Sequence, residues 1–400
     1  MIRELRAALM GVSAFQDVMD NPLMGAVRAL LDALSAGKGE TAMEAYAKVF
    51  YLLRQDGRAG LGDWLFDMLR YEESPYARAA ERGCADPALE SAAKRDIDTF
   101  VVLAEVDCDK LIKAMQGLLG EEFGPALAGL PRWQAGAAFR FDSLTTFYRE
   151  QGAGLFARYK AFLWNESALI PVPEPDCPGE EEMLGYTLQR NQVIANTRSL
   201  LDGNRVNDVL LYGDSGTGKS ATVKTLLSLP GFEELRLIEI QKEGVRNMPG
   251  LIRSLGARRQ KFILFIDDLA FDQDDTMYSV MKTILEGGLE SRPQNVAIYA
   301  TSNRRLLVRQ TFSDRAGDEV DAQETIQEKT ALSDRFGLRI PYLALSKPEF
   351  LDLAEELARR AGVTMDSEKL RREAVIWDMH FPGRTPRTAK QFVAGLLAKG

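Results

Sequence analysis

Residues 213–220 carry the pattern Gly-x-x-x-x-Gly-Lys-Ser, which follows a run that predicts a strand and precedes one that predicts a helix. Glycines allow a backbone to wrap around an anion with its amide groups inward, and the amino end of a helix adds positive potential. Lys219 would supply charge to the β- and γ-phosphates of a nucleotide, and the Ser220 hydroxyl would reach Mg²⁺. The segment predicts a phosphate-binding loop whose contacts come from Gly213, Asp214, Ser215, Gly216, Thr217, Gly218, Lys219, Ser220 and Ala221.

Two further apolar runs end in polar side chains. Residues 261–266 lead into Asp267 and Asp268, and residues 296–300 lead into Thr-Ser-Asn, which ends at Asn303. At the carboxyl edge of a parallel sheet, Asp267 would hold the Mg²⁺ and Asp268 would act as a general base or orient the attacking water. Asn303 is expected between the phosphate loop and the acidic strand, bonded to the γ-phosphate or the water. Alone, acids after a buried strand and a Thr-Ser-Asn turn are common, but beside a phosphate loop each explains the other.

The elements that must position these residues follow from hydrophobic patterning. Short apolar runs separated by helical patterns predict a parallel sheet covered on both faces. The predicted strands are 206–212, 235–240, 262–266, 296–300 and 338–343, with helices near 221–229, 249–258 and 276–290. Only helical patterns follow, at 347–361, 367–377 and 387–399. We therefore expect an α/β core over residues 183–345 and a helical subdomain over residues 346–400.

The first part of the chain has a different pattern. Residues 1–170 show helical periodicity interrupted by breaks such as Asn21-Pro22, and the aromatic-rich stretches 133–148 and 155–164 are expected to continue this bundle. Their aromatic side chains would form its core or a groove for a ligand or partner, and the core is favoured. Residues 171–182 hold four prolines and four glutamates, which predicts an extended linker. We expect an all-α amino-terminal domain that recognises a partner or substrate.

Composition limits the class of protein further. The 400 residues carry 50 Lys and Arg against 58 Asp and Glu, a net charge of −8, which disfavours nucleic acid as a partner. Three widely spaced cysteines and one histidine, His380, exclude a multi-histidine metal centre and agree with a cytoplasmic location. The longest strongly apolar run, 262–266, is far shorter than the roughly 20 residues that span a bilayer. Binding of nucleic acid would require a local basic surface. The candidate residues for such a surface are Arg253, Arg258, Arg259, Lys261, Arg304, Arg305 and Arg309.

Phosphate loop, acidic strand, Asn-ended strand and carboxyl-terminal helices, in this order, resemble the AAA+ ATPase module, a P-loop NTPase fold with a helical lid. The segment Leu332-Ser333-Asp334-Arg335-Phe336-Gly337 resembles the family segment whose arginine reaches the nucleotide of a neighbouring subunit. The resemblance implies that Arg335 acts as an arginine finger in trans and that Arg387, or failing it Arg384, contacts the phosphates from the lid. It also implies that Gly185 and Tyr186 lie near the adenine.

More narrowly, residues from about 183 to 392 resemble a bacterial family within AAA+ that is described only as a domain of unknown function (eight-fifteen). The resemblance rests on Leu184-Gly185-Tyr186, on residues 211–220, on Ala300-Thr301-Ser302-Asn303-Arg304-Arg305 and on the segment around Arg335. One position departs from the commoner AAA+ pattern, because Asp268 stands where many strong ATPases have glutamate. Similarity to AAA+ proteins with this Asp-Asp pair implies slow, switch-like hydrolysis.

The expected protein is an ATPase that binds ATP and Mg²⁺ and hydrolyses ATP between subunits of a homo-oligomer, often a hexamer in this family. Its client would be a protein remodelled through the amino-terminal domain. Two alternatives stay open at this stage: a loader or regulator that acts on DNA, and a scaffold that binds ATP without significant turnover. A kinase that phosphorylates a small molecule is the least favoured reading.

Overall fold

The computed structural model describes residues 1–270, 276–286, 292–303, 332–381 and 383–398. Arg304, Arg305 and Arg309, and the end of the helix predicted at 276–290, lie outside these residues. The chain consists of two compact units, Met1–Arg158 and Tyr159–Gly400.

The first unit is all-helical and has its own apolar core. Several helices begin where the sequence places Asn, Ser or Asp before proline, because these side chains accept the first free backbone amides and proline fits the first turn. Asn21, Ser74 and Asp86 cap helices in this way. The helices are α1 Ile2–Met10, α2 Gln16–Met19, α3 Pro22–Ser35, α4 Gly39–Gln55, α5 Leu61–Tyr71, α6 Pro75–Glu81, α7 Pro87–Ala104, α8 Cys108–Leu119, α9 Gly124–Ala128, α10 Phe141–Gln151 and α11 Leu155–Arg158.

The second unit is built on a sheet that is parallel except at one edge. Its described strands are β1 Ala161–Asn165, β2 Ala168–Val172, β3 Val209–Gly213, β4 Leu235–Ile240, β5 Lys261–Ile266, β6 Val296–Ser302 and β7 Leu338–Tyr342, in the spatial order β2-β1-β4-β5-β6-β3-β7. The five strands predicted from the sequence are β3 to β7, and all of them run parallel to their neighbours. Every residue of β6 is buried, as expected for a strand covered on both faces. The predicted α/β fold class is confirmed.

The expectation that helices continue to residue 170 is wrong, because residues 161–172 form a β-hairpin. Strand β1 pairs parallel with β4 and antiparallel with β2, so β2 forms the edge of the sheet. Pro171 is tolerated there because an edge strand does not need every backbone amide for pairing. Strand β2 also takes up the first residues of the stretch that was predicted as a linker, residues 171–182.

Helices accompany the sheet and then form a separate cluster after β7. They are α12 Thr187–Leu201, α13 Lys219–Thr225, α14 Met248–Leu255, α15 Thr276–Glu286, α16 Lys347–Arg360, α17 Ser367–His380 and α18 Pro386–Leu397. The last three pack around Phe350, Leu370 and Phe392 and form the predicted helical subdomain, called the lid below. Within the described residues, no helix combines the length and the apolar composition that crossing a lipid bilayer requires.

Candidate functional site

The strand order brings the predicted chemical groups to one edge of the sheet. Strand β6 lies between β5 and β3, and all three run in the same direction. Their carboxyl ends therefore meet, which places Asn303 between the loop after β3 and the carboxylates of Asp267 and Asp268 after β5. This is the position of Asn303 that the sequence predicts.

The loop between β3 and α13 depends on three glycines with positive φ. Gly213, Gly216 and Gly218 have φ values of 137°, 80° and 95°, which residues with a side chain rarely adopt. A Cβ atom on Gly213 would lie 2.2 Å from the backbone oxygen of Tyr342. The next amide, that of Asp214, donates to the same oxygen at 3.0 Å. The loop is thus held against the end of β7, which fixes the path of its backbone.

Lys219 is the most buried cation of the site, with 6% of its surface exposed. Its ammonium group donates to the backbone oxygens of Gly213 and Asp214 at 2.9 and 2.8 Å and to Oδ1 of Asn303 at 3.0 Å. Burial lowers the pKa of this lysine, and the carboxylates of Asp214, Asp268 and Asp267 partly oppose that shift. Lys219 is therefore a fixed positive charge at the centre of the loop.

The two carboxylates after β5 have different partners. Asp267 accepts hydrogen bonds on Oδ1 from the hydroxyls of Ser220, at 2.6 Å, and of Thr301. Asp268 accepts from Nδ2 of Asn303 at 2.8 Å, and its own backbone has a φ of 52°. A serine hydroxyl beside a carboxylate is a pair of oxygen ligands of the kind that Mg²⁺ prefers. The carboxylate of Asp268, one residue further along, could accept a proton or orient a water molecule.

The lid approaches the loop through the start of α18. The backbone amide of Arg387 donates to the oxygen of Gly216 at 3.2 Å, and its guanidinium donates to the hydroxyl of Ser215 at 3.4 Å. A Cβ atom on Gly216 would lie 2.9 Å from that of Arg387, so this close approach requires glycine. Arg384, the fallback for the same role, instead forms an ion pair with Asp378 at 2.8 Å. Of the two arginines, Arg387 is the one at the loop.

A cavity of about 690 Å³ opens over these groups and is called the site cavity below. Polar groups come from the loop, the carboxylates, Thr301 and Asn303, apolar groups come from Met183 and Leu184, and the lid contributes both kinds. The described lining residues are Glu182, Met183, Leu184, Ser215, Gly216, Thr217, Gly218, Lys219, Ser220, Ala221, Asp267, Asp268, Thr301, Asn303, Leu353, Leu357, Pro386, Arg387, Lys390, Gln391 and Ala394. The lining therefore combines charged groups with apolar side chains, which is typical of a pocket for a small molecule that has both charged and apolar parts.

Four residues predicted to contact the nucleotide fall outside that lining: Gly185, Tyr186, Gly213 and Asp214. The Tyr186 ring stacks on Tyr342, with 5.0 Å between the ring centres, and its hydroxyl donates to the oxygen of Leu343. The carboxylate of Asp214 accepts the amide of Ala344 at 2.7 Å. Tyr186 and Asp214 therefore bind the chain that leads from β7 to the lid.

Arg335 lies away from the site cavity of its own chain. It lies in the turn before β7, half of its side chain is exposed, and it forms an ion pair with Glu286 of α15 at 2.9 Å. Nothing in the described residues brings it to Lys219 or Asp268.

Thr301, Lys390, Gln391 and Glu182 were not predicted as site residues. Thr301 is one of the polar residues at the end of β6, but its bond to Asp267 depends on the register between β5 and β6, which the sequence does not reveal. Lys390 follows Arg387 by three residues on α18, so helical spacing was the one available signal that both face the same cavity.

A parallel sheet with a glycine-rich loop after one strand, paired acids after another, an asparagine-ended strand between them and a helical lid defines a P-loop NTPase fold of the AAA+ type. Residues 157–400 match the family described as "Protein of unknown function (DUF815)", and the chain belongs to this family. No curated protein matches the sequence.

Structures of RuvB are among the solved structures that match this chain. The RuvB Holliday junction branch migration motor of Thermotoga maritima is 16% identical, with 55% of this chain and 63% of that chain covered and a TM-score of 0.36. A mutant of T. maritima RuvB is 14% identical, with 55% and 64% covered and a TM-score of 0.37. The chain thus spans less than two thirds of the length of these proteins.

Proposed function

We propose that this protein binds ATP with Mg²⁺ in the site cavity and hydrolyses it slowly between subunits of an oligomer, to remodel or regulate a macromolecular partner. The observation that carries the proposal is the convergence, at one sheet edge, of the loop with Lys219, the Ser220–Asp267 pair and the Asp268–Asn303 pair. Each group would serve one requirement of phosphoryl transfer. Lys219 would supply positive charge, the Ser220–Asp267 pair would bind the metal, and the Asp268–Asn303 pair would orient the attacking water.

The residues present fit the metal that the fold implies. The Ser220 hydroxyl and the Asp267 carboxylate lie 2.6 Å apart and both line the site cavity. Mg²⁺ binds oxygen ligands and is commonly held by one or two protein groups together with substrate phosphates. When bound, Mg²⁺ neutralises charge that develops on the phosphates. Ser220 and Asp267 would hold it, and Lys219 would add a second positive charge from the loop.

Hydrolysis needs a group that orients water and receives its proton. Water attacks the γ-phosphorus, the bond to the oxygen that bridges the β- and γ-phosphates breaks, and ADP, phosphate and a proton result. We assign this task to Asp268, and the assignment is supported by its hydrogen bond from Asn303 at 2.8 Å and by its position in the cavity lining. Because aspartate is one methylene shorter than glutamate, the reach to the water is reduced and we expect a slow rate.

Completion of the site by a neighbour is supported by the position of Arg335. A guanidinium stays charged and stabilises the charge that spreads over a transferring phosphoryl group. Arg335 is half exposed and outside its own site cavity, so a second subunit is the natural place for its contact. We therefore propose a homo-oligomer. Its size is a separate question, with a hexamer as the arrangement that the AAA+ resemblance implies.

The partner is proposed to be a protein that binds the helical unit, Met1–Arg158, which has its own core. A scaffold that binds ATP without turnover is the second candidate, and the short side chain of Asp268 favours it. A loader that acts on DNA is a third, for which salt-sensitive stimulation of turnover by DNA would be the sign. Stimulation by a protein client would support the first.

Binding of a fluorescent ATP analogue to the purified full chain tests the site. The Lys219→Ala variant should lose affinity by about 100-fold, because a buried charged donor is removed from the loop. Lys224→Ala changes a lysine on the same helix, α13, that does not line the cavity, and it should bind like the wild type. Tight binding by Lys219→Ala would overturn the assignment of the site.

A further inference from the structure

Thr301 of β6 bonds to both acidic positions of the site at once. Its side chain is 2% exposed, and its hydroxyl donates to Oδ1 of Asp267 while accepting the backbone amide of Asp268 at 2.9 Å. Its backbone oxygen accepts the amide of Leu269 at 2.7 Å. One residue of the neighbouring strand thus holds three consecutive residues after β5.

The turn that Thr301 holds is an unusual one. Regular pairing between β5 and β6 ends at Ile266 opposite Ala300, and the chain then turns at Asp268 with a φ of 52°. This left-handed conformation costs free energy for a residue with a side chain. The conformation persists only where surrounding contacts hold the backbone in place. The hydroxyl and the backbone oxygen of Thr301 hold this turn by accepting the backbone amides of Asp268 and Leu269.

The bonds to Asp267 also orient its carboxylate. The hydroxyls of Ser220 and Thr301 both donate to Oδ1. Neither occupies Oδ2, so the pair sets the rotation of the carboxylate and leaves the second oxygen to another ligand. Groups that hydrogen-bond to a metal-binding side chain commonly control metal affinity, because they set the orientation of that side chain.

We infer that Thr301 is a positioning residue that orients Asp267 and fixes the turn at Asp268, so that it controls the response of the site to Mg²⁺ and not the affinity for the nucleotide itself. The inference rests on the proposed function. It separates Thr301 from Lys219, whose loss should weaken nucleotide binding with or without the metal. It also separates Thr301 from residues that only stabilise the sheet. Loss of such a residue would not change the ratio of nucleotide affinity with Mg²⁺ to nucleotide affinity without it.

The test compares affinity for the fluorescent ATP analogue in Mg²⁺ and in EDTA. Thr301→Val keeps the shape but removes the hydroxyl, and Thr301→Ser keeps the hydroxyl but removes the methyl group. The gain in affinity on adding Mg²⁺ should fall by about 10- to 100-fold in Thr301→Val, with the affinity in EDTA within about 3-fold of the wild type. Thr301→Ser should retain the wild-type gain. Thr301→Ala, which also lacks the hydroxyl but fills less space, should behave like Thr301→Val and replaces it if the valine is not accommodated.

Two results would overturn the inference while the proposed function stands. One is a wild-type gain with Mg²⁺ in both variants that lack the hydroxyl. The other is an equal loss in Thr301→Ser, which would assign the effect to packing. A wild type that binds the analogue without any gain from Mg²⁺ would instead contradict both the inference and the proposed role of Mg²⁺ in the site. No binding by the wild type in either condition would be a failure of the proposed function itself.

Discussion

The two sides of the site cavity are held in different ways. On the core side, Lys219, Asp267, Asp268 and Asn303 are hydrogen-bonded within the core, largely to one another. On the lid side, the guanidinium of Arg387 makes one long side-chain contact with the loop, at 3.4 Å. The core groups are set by backbone and strand register, whereas the lid group depends on where the lid lies.

This difference predicts that the core residues determine nucleotide affinity and that the arginines outside the core determine the rate of turnover. Groups that are already positioned need little rearrangement when a charged ligand binds, so under the proposed function we expect the core groups to contribute most to the binding of phosphates and metal. The guanidinium of Arg387 contributes according to the position of the lid, and under the proposed function Arg335 contributes only to the site of a neighbouring subunit. We expect substitutions in the core to change affinity, and substitutions of these arginines to change turnover more than affinity.

Arg335 gives the sharpest test of this separation. Arg335→Ala should lower ATP turnover by about 1,000-fold, as expected for loss of an arginine finger, while ATP affinity stays within about 3-fold. Arg339→Ala is a matched control, since Arg339 is an equally exposed arginine whose ion pair is with Asp334. Steady-state turnover and analogue binding measure the two quantities. Unchanged turnover in Arg335→Ala would show that the finger is misassigned.

Asp267 tests the core side. Asp267→Asn keeps the size of the side chain but removes its charge, so affinity for ATP in Mg²⁺ should fall by about 100-fold, with a small change in EDTA. The control is Asp202→Asn, at an exposed carboxylate at the end of α12. Equal losses with and without the metal would assign Asp267 to the structure of the loop instead of the metal.

Arg387 tests the lid side. Arg387→Ala should reduce turnover by about 10-fold, and affinity less, because one exposed charge-assisted contact is lost. Arg384→Ala serves as the comparison, since Arg384 is paired with Asp378 within the lid. A larger effect of Arg384→Ala on turnover would exchange the roles of the two arginines.

Asp214 links the two sides, and its effect should be the smallest. Its carboxylate accepts the amide of Ala344 on the path to the lid, and Asp214→Ala removes that bond at a cost of about 1 kcal/mol. We expect turnover to change by about 3-fold, and Asp214→Asn, which keeps an acceptor oxygen, to lie between this variant and the wild type. A loss of nucleotide affinity as large as that of Lys219→Ala would show that Asp214 contacts the ligand directly.

The parts of the fold that could be predicted were those with local signals. The loop glycines, the apolar runs that became β3 to β7 and the caps before proline each have a direct physical cause in neighbouring residues. The hairpin of β1 and β2 has no such signal. Its turn is Glu166-Ser167 instead of an Asn-Gly type, Glu166 has a φ of 50°, and Pro171 argues against a strand unless its edge position is known.

The site shows the same limit. Lys219, Ser220, Asp267, Asp268 and Asn303, which line one cavity, could be proposed from the sequence because each follows a strand or belongs to the loop pattern. The sequence did not identify Thr301, whose partner is set by the register of two strands distant in sequence. The resemblance to AAA+ proteins implied that Gly185 and Tyr186 lie near the adenine, whereas Met183 and Leu184 line the cavity and Tyr186 packs on Tyr342.

ATP turnover per subunit, measured over a wide range of protein concentration, decides most directly whether the core holds the nucleotide and a neighbour completes the reaction. We predict that turnover per subunit rises with concentration and then reaches a plateau. We also predict that a mixture of Lys219→Ala and Arg335→Ala, each inactive alone, regains activity, because one supplies the finger and the other the intact site. Turnover that is independent of concentration in a protein shown to be monomeric, with no recovery in the mixture, would contradict completion in trans.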